Sequence, residues 1–217
     1  MCFSIKSSFI LGSVLITMGI IARIRVQKQL RMHLLATIPI LFGIQQYAEG
    51  FVWLSLSTEF FASYGFIART LFLSFAIIIW PVVSGLALYL IEPNRKHKQI
   101  LLIPISIGCI IALYGIYPIF MQPTQATIVD HSILYIFYEP PFYLYSVYSI
   151  CYLISTIAPL FISTVTGMRQ AAVALSLAGL FAFLFKKATF GSIWCFFAAF
   201  LSLLILLLLP RNARQKA

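Results

Sequence analysis

Seven stretches of apolar residues, each close to the 20 or so that an α-helix needs to cross a hydrocarbon layer, dominate this chain. They lie near 3–22, 33–57, 65–91, 100–121, 143–166, 170–186 and 189–209. Between them stand turn and charge signals: Arg23 to Arg31, Ser57-Thr58-Glu59, Glu92 to Lys98, Gln122 to Pro141 and Thr166 to Arg169. Only 9% of the 217 residues are charged and 62% are hydrophobic. Soluble domains carry about 25% charged residues, so too little charge is present to clothe a water-facing surface. The expectation is an all-α integral membrane protein, one domain over 1–217, of about seven transmembrane helices.

The net charge of +10 fits topology better than nucleic acid, because no basic run is long enough to dock a phosphate backbone. Arg23, Arg25, Lys28, Arg31, Arg95, Lys96, Lys98, Arg169, Arg211, Arg214 and Lys216 fall on one side of the alternating spans. Lys6, Arg69, Lys186 and Lys187 fall on the other. Positive residues mark the cytoplasmic side, so the N-terminus is expected outside and the C-terminus in the cytoplasm, with membrane lipids as neighbours. Arg23, Arg25 and Lys28 follow the first stretch where a small-residue cleavage site would stand, and it reads as a retained helix. The 122–142 connection is expected outside, folded back on the membrane surface through Ile128-Val129 and Ile133 to Tyr138. Pro140-Pro141 then opens the fifth helix. Stretches 1–3 and 5–7 can be overlaid as two halves around a linker helix, though identity between them is weak.

Polar residues inside apolar helices carry the functional signal. In the second stretch Gln45 or Gln46, Glu49 and Trp53 follow at three- or four-residue steps and share a face. Arg69 enters the third stretch at a depth similar to that of Glu49. An isolated charge at midplane costs about 3 kcal/mol on the mildest scales, so the two are expected to pair or to line one cavity. Three readings stay open: a structural ion pair, a solute or proton site, or Arg69 snorkelling to the interface. Tyr148 and Tyr152 run deep on the fifth stretch and need hydroxyl partners, whereas Tyr143 and Tyr145 read as interface anchors. Trp80-Pro81 marks a kink.

Other chemistry is thin. No two histidines stand at i, i+4, so no metal-ligand helix is expected, and no cofactor is implied. A hydrolase would have to gather Asp130-His131 with Ser4, Ser7 and Ser8. The last stretch has no Lys for a retinal-type pigment. Cys2, Cys109, Cys151 and Cys195 include no CxxC, and a redox role for Cys2 with Cys195 is the minority reading.

Met-Cys-Phe-Ser at 1–4, Ser8-Phe9, Pro39 with Leu41-Phe42-Gly43, Gln45-Gln46 with Glu49-Gly50, Val52-Trp53-Leu54 and Ser192 to Ala198 together resemble a bacterial family of small multi-pass proteins of unknown function. The resemblance implies a seven-helix fold and supplies no activity. It places Cys2, Gln45, Gln46, Glu49, Trp53, Trp194 and Cys195 in the family pattern, while Ile5-Lys6 departs from it. The functional expectation is a small transporter or permease-like protein rather than an enzyme. Its polar, outward-biased cavity would comprise Gln45, Gln46, Glu49, Trp53, Arg69, Tyr148 and Tyr152, and its partner would be a small polar solute or cation. A ligand-responsive seven-helix sensor is the alternative, and a membrane-embedded hydrolase the third.

Overall fold

The computed structural model describes residues 4–136 and 142–204, with the side chains of 142–145 and Lys187 left aside. Cys2, Glu139, Pro140-Pro141, Arg211, Arg214, Lys216 and the end of the seventh apolar stretch therefore lie outside the described residues. So do the side chains of Tyr143 and Tyr145.

The chain is mostly helical. Its helices are α1 (Ile5–Arg25), α2 (His33–Ser57), α3 (Gly65–Leu73), α4 (Trp80–Ile91), α5 (Arg95–Phe120), α6 (Phe142–Ile162), α7 (Met168–Phe185) and α8 (Phe190–Ser202). A π-helical segment, Ser74–Ile79, joins α3 to α4, so the described helices form seven rods at the places the apolar stretches mark. Among the described residues four runs are long and apolar enough to cross a membrane: Ile5–Arg25, Glu59–Ile91, Arg95–Phe120 and Met168–Phe185. The outward faces of α1, α5 and α7 expose Ile10, Ile24, Ile103, Leu113, Leu177 and Leu184.

One end of the bundle gathers the basic turns after α1, before α5 and before α7. Ala22, Val26, Leu35, Ala87, Leu88, Leu101 and Met168 form a core cluster there. Ser4 opens the other end with a capping box on α1, its side chain accepting from Ser7 N–H. α2 runs against α1, α3, α4 and α8 and buries most of its surface from Leu35 to Trp53, with Ile44 and Phe51 exposed on one side. It sits close to α1 because glycines meet: a Cβ on Gly43 would stand 2.9 Å from the Gly12 carbonyl oxygen. Small residues let helix backbones approach in this way.

The π segment follows from Pro81. In an α-helix the ring of Pro81 would press on the carbonyl four residues back, and a widened turn relieves this. Trp80 N–H closes on Phe75 O, five residues back. The next donor in that register would be Pro81, which has none, and this leaves the Ala76 carbonyl to another partner. The expected kink is thus a π segment. Gly108 of α5 presses against the same place: a Cβ there would come 2.0 Å from Pro81 O.

The connection after α5 corrects the expectation of an interfacial fold-back. It forms an antiparallel hairpin, β1 (Gln125–Val129) with β2 (Ser132–Ile136), pairing Ala126 with Tyr135 and Ile128 with Ile133. β-branched Thr127, Ile128 and Val129 before a two-residue turn, with Ile133 and Ile136 after it, favour a hairpin over a lipid-seeking segment. Asp130 and His131 both take positive φ, 46° and 60°, as a tight primed turn requires. Ala126 and Ile133 pack on Val52, Trp53 and Ala68, so the hairpin covers the ends of α2 and α3. Lys186 Nζ stands 3.7 Å from Asp130 Oδ2 and donates to Asp130 O at 3.4 Å, tying the turn to the end of α7.

Candidate functional site

Glu49 lies in the middle of the bundle, 2% exposed. One carboxylate oxygen accepts from Ser192 Oγ of α8. The other accepts from Gln46 Nε2 at 3.5 Å, one turn back on α2. Gln45 and Gln46 are both fully buried. Gln45 Oε1 accepts from Trp80 Nε1 at 2.7 Å, and Trp80 stacks on Phe42 with ring centroids 3.8 Å apart. Cys195, one turn beyond Ser192, lies beside the Gln45 carboxamide. The helical spacing seen in the sequence therefore does set Gln45, Gln46 and Glu49 into one polar centre.

The expected Glu49–Arg69 ion pair is not formed. Among the described residues the ion pair within 4.0 Å is Lys186–Asp130. Arg69 turns back along α3: its Nη1 lies 3.2 Å from the point where a Gly65 Cβ would stand, and Ser55 Oγ lies 2.9 Å from that point. Equal depth on adjacent helices does not fix the direction a long side chain takes, and guanidinium groups run toward helix ends where they can. Tyr135 of β2 reaches the gap instead. Its ring stacks on Phe72 at 4.5 Å and packs with Ala48, Leu73 and Cys195. Burial first, then the charges of Glu49 and Cys195, push the Tyr135 phenol well above its ordinary range, with Arg69 pulling the other way.

Around this centre several buried polar atoms have no hydrogen-bond partner among the described residues: Gln45 Nε2, Gln46 Oε1, Arg69 Nε, and the hydroxyls of Tyr135 and Tyr148. Each such atom costs about 1–3 kcal/mol when nothing answers it. Tyr152 differs, since its hydroxyl donates to the Ala76 carbonyl left open by Pro81, at 2.7 Å. Trp53 packs under the hairpin with Val52 and Ala68 and serves the cap.

The expected residues do not gather around one cavity, and an open hollow of about 220 Å³ at the hairpin end is lined by Ser55, Leu56, Ser57, Thr58, Glu59 and Ala62 instead. A space of about 130 Å³ lies on the basic-end side of Trp80, ringed by α2, α4, α6, α7 and α8. Of the seven residues expected to line a cavity, Tyr152 does so. Sequence reasoning missed Ser192, Tyr135 and the cap they complete. A serine inside an otherwise apolar helix was the available signal for the first, and the β-branched and aromatic run after a two-residue polar turn for the second.

Glu92 was missed as well. It is 5% exposed at the end of α4, and it accepts from Ser163 Oγ at 2.9 Å, Thr164 N at 2.9 Å, Asn94 N at 3.1 Å and Thr164 Oγ1. Burial works to raise its pKa, yet these four donors hold it below the ordinary carboxyl value. Every oxygen is satisfied, so Glu92 clasps the α4–α5 and α6–α7 turns together. Asp130 and His131 form the hairpin turn, with Asp130 mostly exposed. No group of three His, Cys, Asp or Glu among the described residues is placed to hold a metal ion.

Fold and centre together define a mostly helical bundle, closed at one end by a β-hairpin, whose middle holds a carboxylate without a cationic partner among the described residues. The chain belongs to a family of unknown function, DUF6629, which matches residues 1–217. No curated protein and no solved structure matches it.

Proposed function

We propose that this is a seven-span protein of a bacterial cytoplasmic membrane, N-terminus outside, acting as a small transporter that exchanges a proton for a cationic or small polar solute at Glu49. The apolar exterior, the four long apolar helices and the gathering of basic turns at one end support the membrane setting. The observation that carries the transport reading is a buried carboxylate held by a hydroxyl and an amide, with no cation within ion-pair distance among the described residues.

Burying a charge is expensive unless it is paired, so a carboxylate in this place is balanced by a proton or by a positive solute. Alternation between the two is what a proton-coupled carrier requires. The unanswered Gln45 Nε2, Gln46 Oε1 and Tyr148 hydroxyl supply hydrogen bonds for a solute, and the Tyr135 and Tyr148 rings suit a cation. The hairpin would then be the outer gate, opening as Tyr135 leaves Phe72.

The test is flux in vesicles reconstituted with the full chain and loaded with a pH-sensitive dye. A gradient of tetramethylammonium, as the cation probe, is expected to drive opposite proton movement in the wild type and none in Glu49→Gln. Equal rates in a correctly folded Glu49→Gln protein would remove Glu49 from the mechanism.

A further inference from the structure

The cavity below Trp80 is separated from Glu49 by the Trp80–Gln45 hydrogen bond and carries its own chemistry. Its wall has side-chain donors, but the protein already uses them. Ser84 Oγ donates to Trp80 O and Ser155 O, at 2.8 and 3.0 Å. Thr156 Oγ1 donates to Tyr152 O at 2.7 Å and Ser202 Oγ to Ala199 O at 2.6 Å. Tyr152 donates to Ala76 O, Trp80 to Gln45 Oε1 and Trp194 Nε1 to Leu175 O. The Cys195 thiol, a weak donor, is what remains. Among the described residues no charged side chain is on the wall.

An occupant therefore meets two tryptophans and mostly aliphatic side chains, with no free strong donor, and the hydroxyls of Ser84, Tyr152, Thr156 and Ser202 can only accept. Water is held in a cavity by two to four polar partners, and this wall, apolar over most of its residues, answers a water only through acceptors. An anion would lose its hydration without return, since it needs donors, and a sugar would recover only part of its hydration. The size sets the scale: apolar cavities of about 150 Å³ take up benzene, and this one is about 130 Å³. We infer that the cavity is a binding site for a hydrocarbon group, one aromatic ring or a short alkyl chain, delivered either by a membrane lipid or by a free apolar molecule. This site goes beyond the exchange proposed at Glu49 and does not depend on it.

Two of the chain's three tryptophans, Trp80 and Trp194, line the cavity at 6% and 5% exposure, while Trp53 lies under the hairpin. Contact quenching by bromine reads occupancy directly. Bromobenzene added to full-length protein in unbrominated vesicles is expected to quench saturably, up to the emission of those two tryptophans, and Trp53→Phe should keep the quenched amplitude. Vesicles of chain-brominated phosphatidylcholine distinguish the sources: saturable quenching there assigns a lipid chain, and quenching by bromobenzene alone assigns a free molecule. Ala171→Phe, or the milder Ala198→Leu, should fill the space and reduce quenching at least threefold with helicity retained. Quenching that is linear in bromobenzene and absent with brominated lipid overturns the site, as does quenching lost in Trp53→Phe or unchanged in a folded filler variant. Should both fillers misfold, saturation and the Trp53→Phe result decide.

Discussion

Replacing Glu92 by Gln tests whether its clasp holds the basic end together. The variant keeps the shape but turns one acceptor oxygen into an NH₂ group facing donors: Ser163 Oγ, Thr164 N, Thr164 Oγ1 and Asn94 N. Hydrogen bonds to a charged group contribute about 1.5–3 kcal/mol each, and a donor left facing a donor costs about 1–3 kcal/mol. Glu92 sits at the rim of the bundle, so the loss is set at about 2–4 kcal/mol. For a chain of this size that is a fall in Tm of about 5–15 °C. Thermal unfolding of the purified protein, followed by circular dichroism, measures it.

The pH dependence sharpens the test. The native carboxyl lies below its ordinary value of 4.5, so unfolding takes up a proton in acid. Its stabilisation is complete above that ordinary value and is lost as pH falls through the lower native value. The gap in Tm between wild type and Glu92→Gln should therefore be constant from neutral pH to about 6, and close below about pH 4. Equal melting at pH 7, or a gap undiminished at pH 3, would refute the clasp.

Three further outcomes follow from other parts of the fold. Tyr152→Phe should lower stability by about 1–3 kcal/mol by orphaning the Ala76 carbonyl, and the cost should shrink in a Pro81→Ala background, where a backbone N–H becomes available; a double-mutant cycle of melting curves reads the coupling. Gly108→Ala should cost more than about 3 kcal/mol, since the added carbon meets Pro81 O at 2.0 Å, seen as a large fall in Tm or loss of folded yield. His131→Gly should stabilise the hairpin by up to about 1 kcal/mol, because His131 holds φ at 60°, again by thermal melting.

The helical rods were legible because long apolar runs leave few alternatives, and the Gln45, Gln46, Glu49 face was legible because helical spacing is fixed. What answered those side chains was not. Ser192 is 143 residues from Glu49, and Ser163 is 71 from Glu92. No local pattern encodes such a meeting. Arg69 shows the same limit from the other side: its depth could be counted from the sequence, but its direction depended on Gly65 and Ser55. The hairpin was hidden for a different reason, since residues 125–136 are apolar enough to suggest a lipid surface until the β-branched residues are read with the Asp130-His131 turn.

The distance in sequence between Glu49 and its hydroxyl donor has a consequence for biosynthesis. At about 5–20 residues per second, the ribosome makes Ser192 roughly 7–30 seconds after Glu49. During that interval α2 exists without the partner that completes its middle, so quality-control factors have a long window in which to recognise the half-built chain. A message truncated before α8 should yield a product that is degraded rather than one that accumulates.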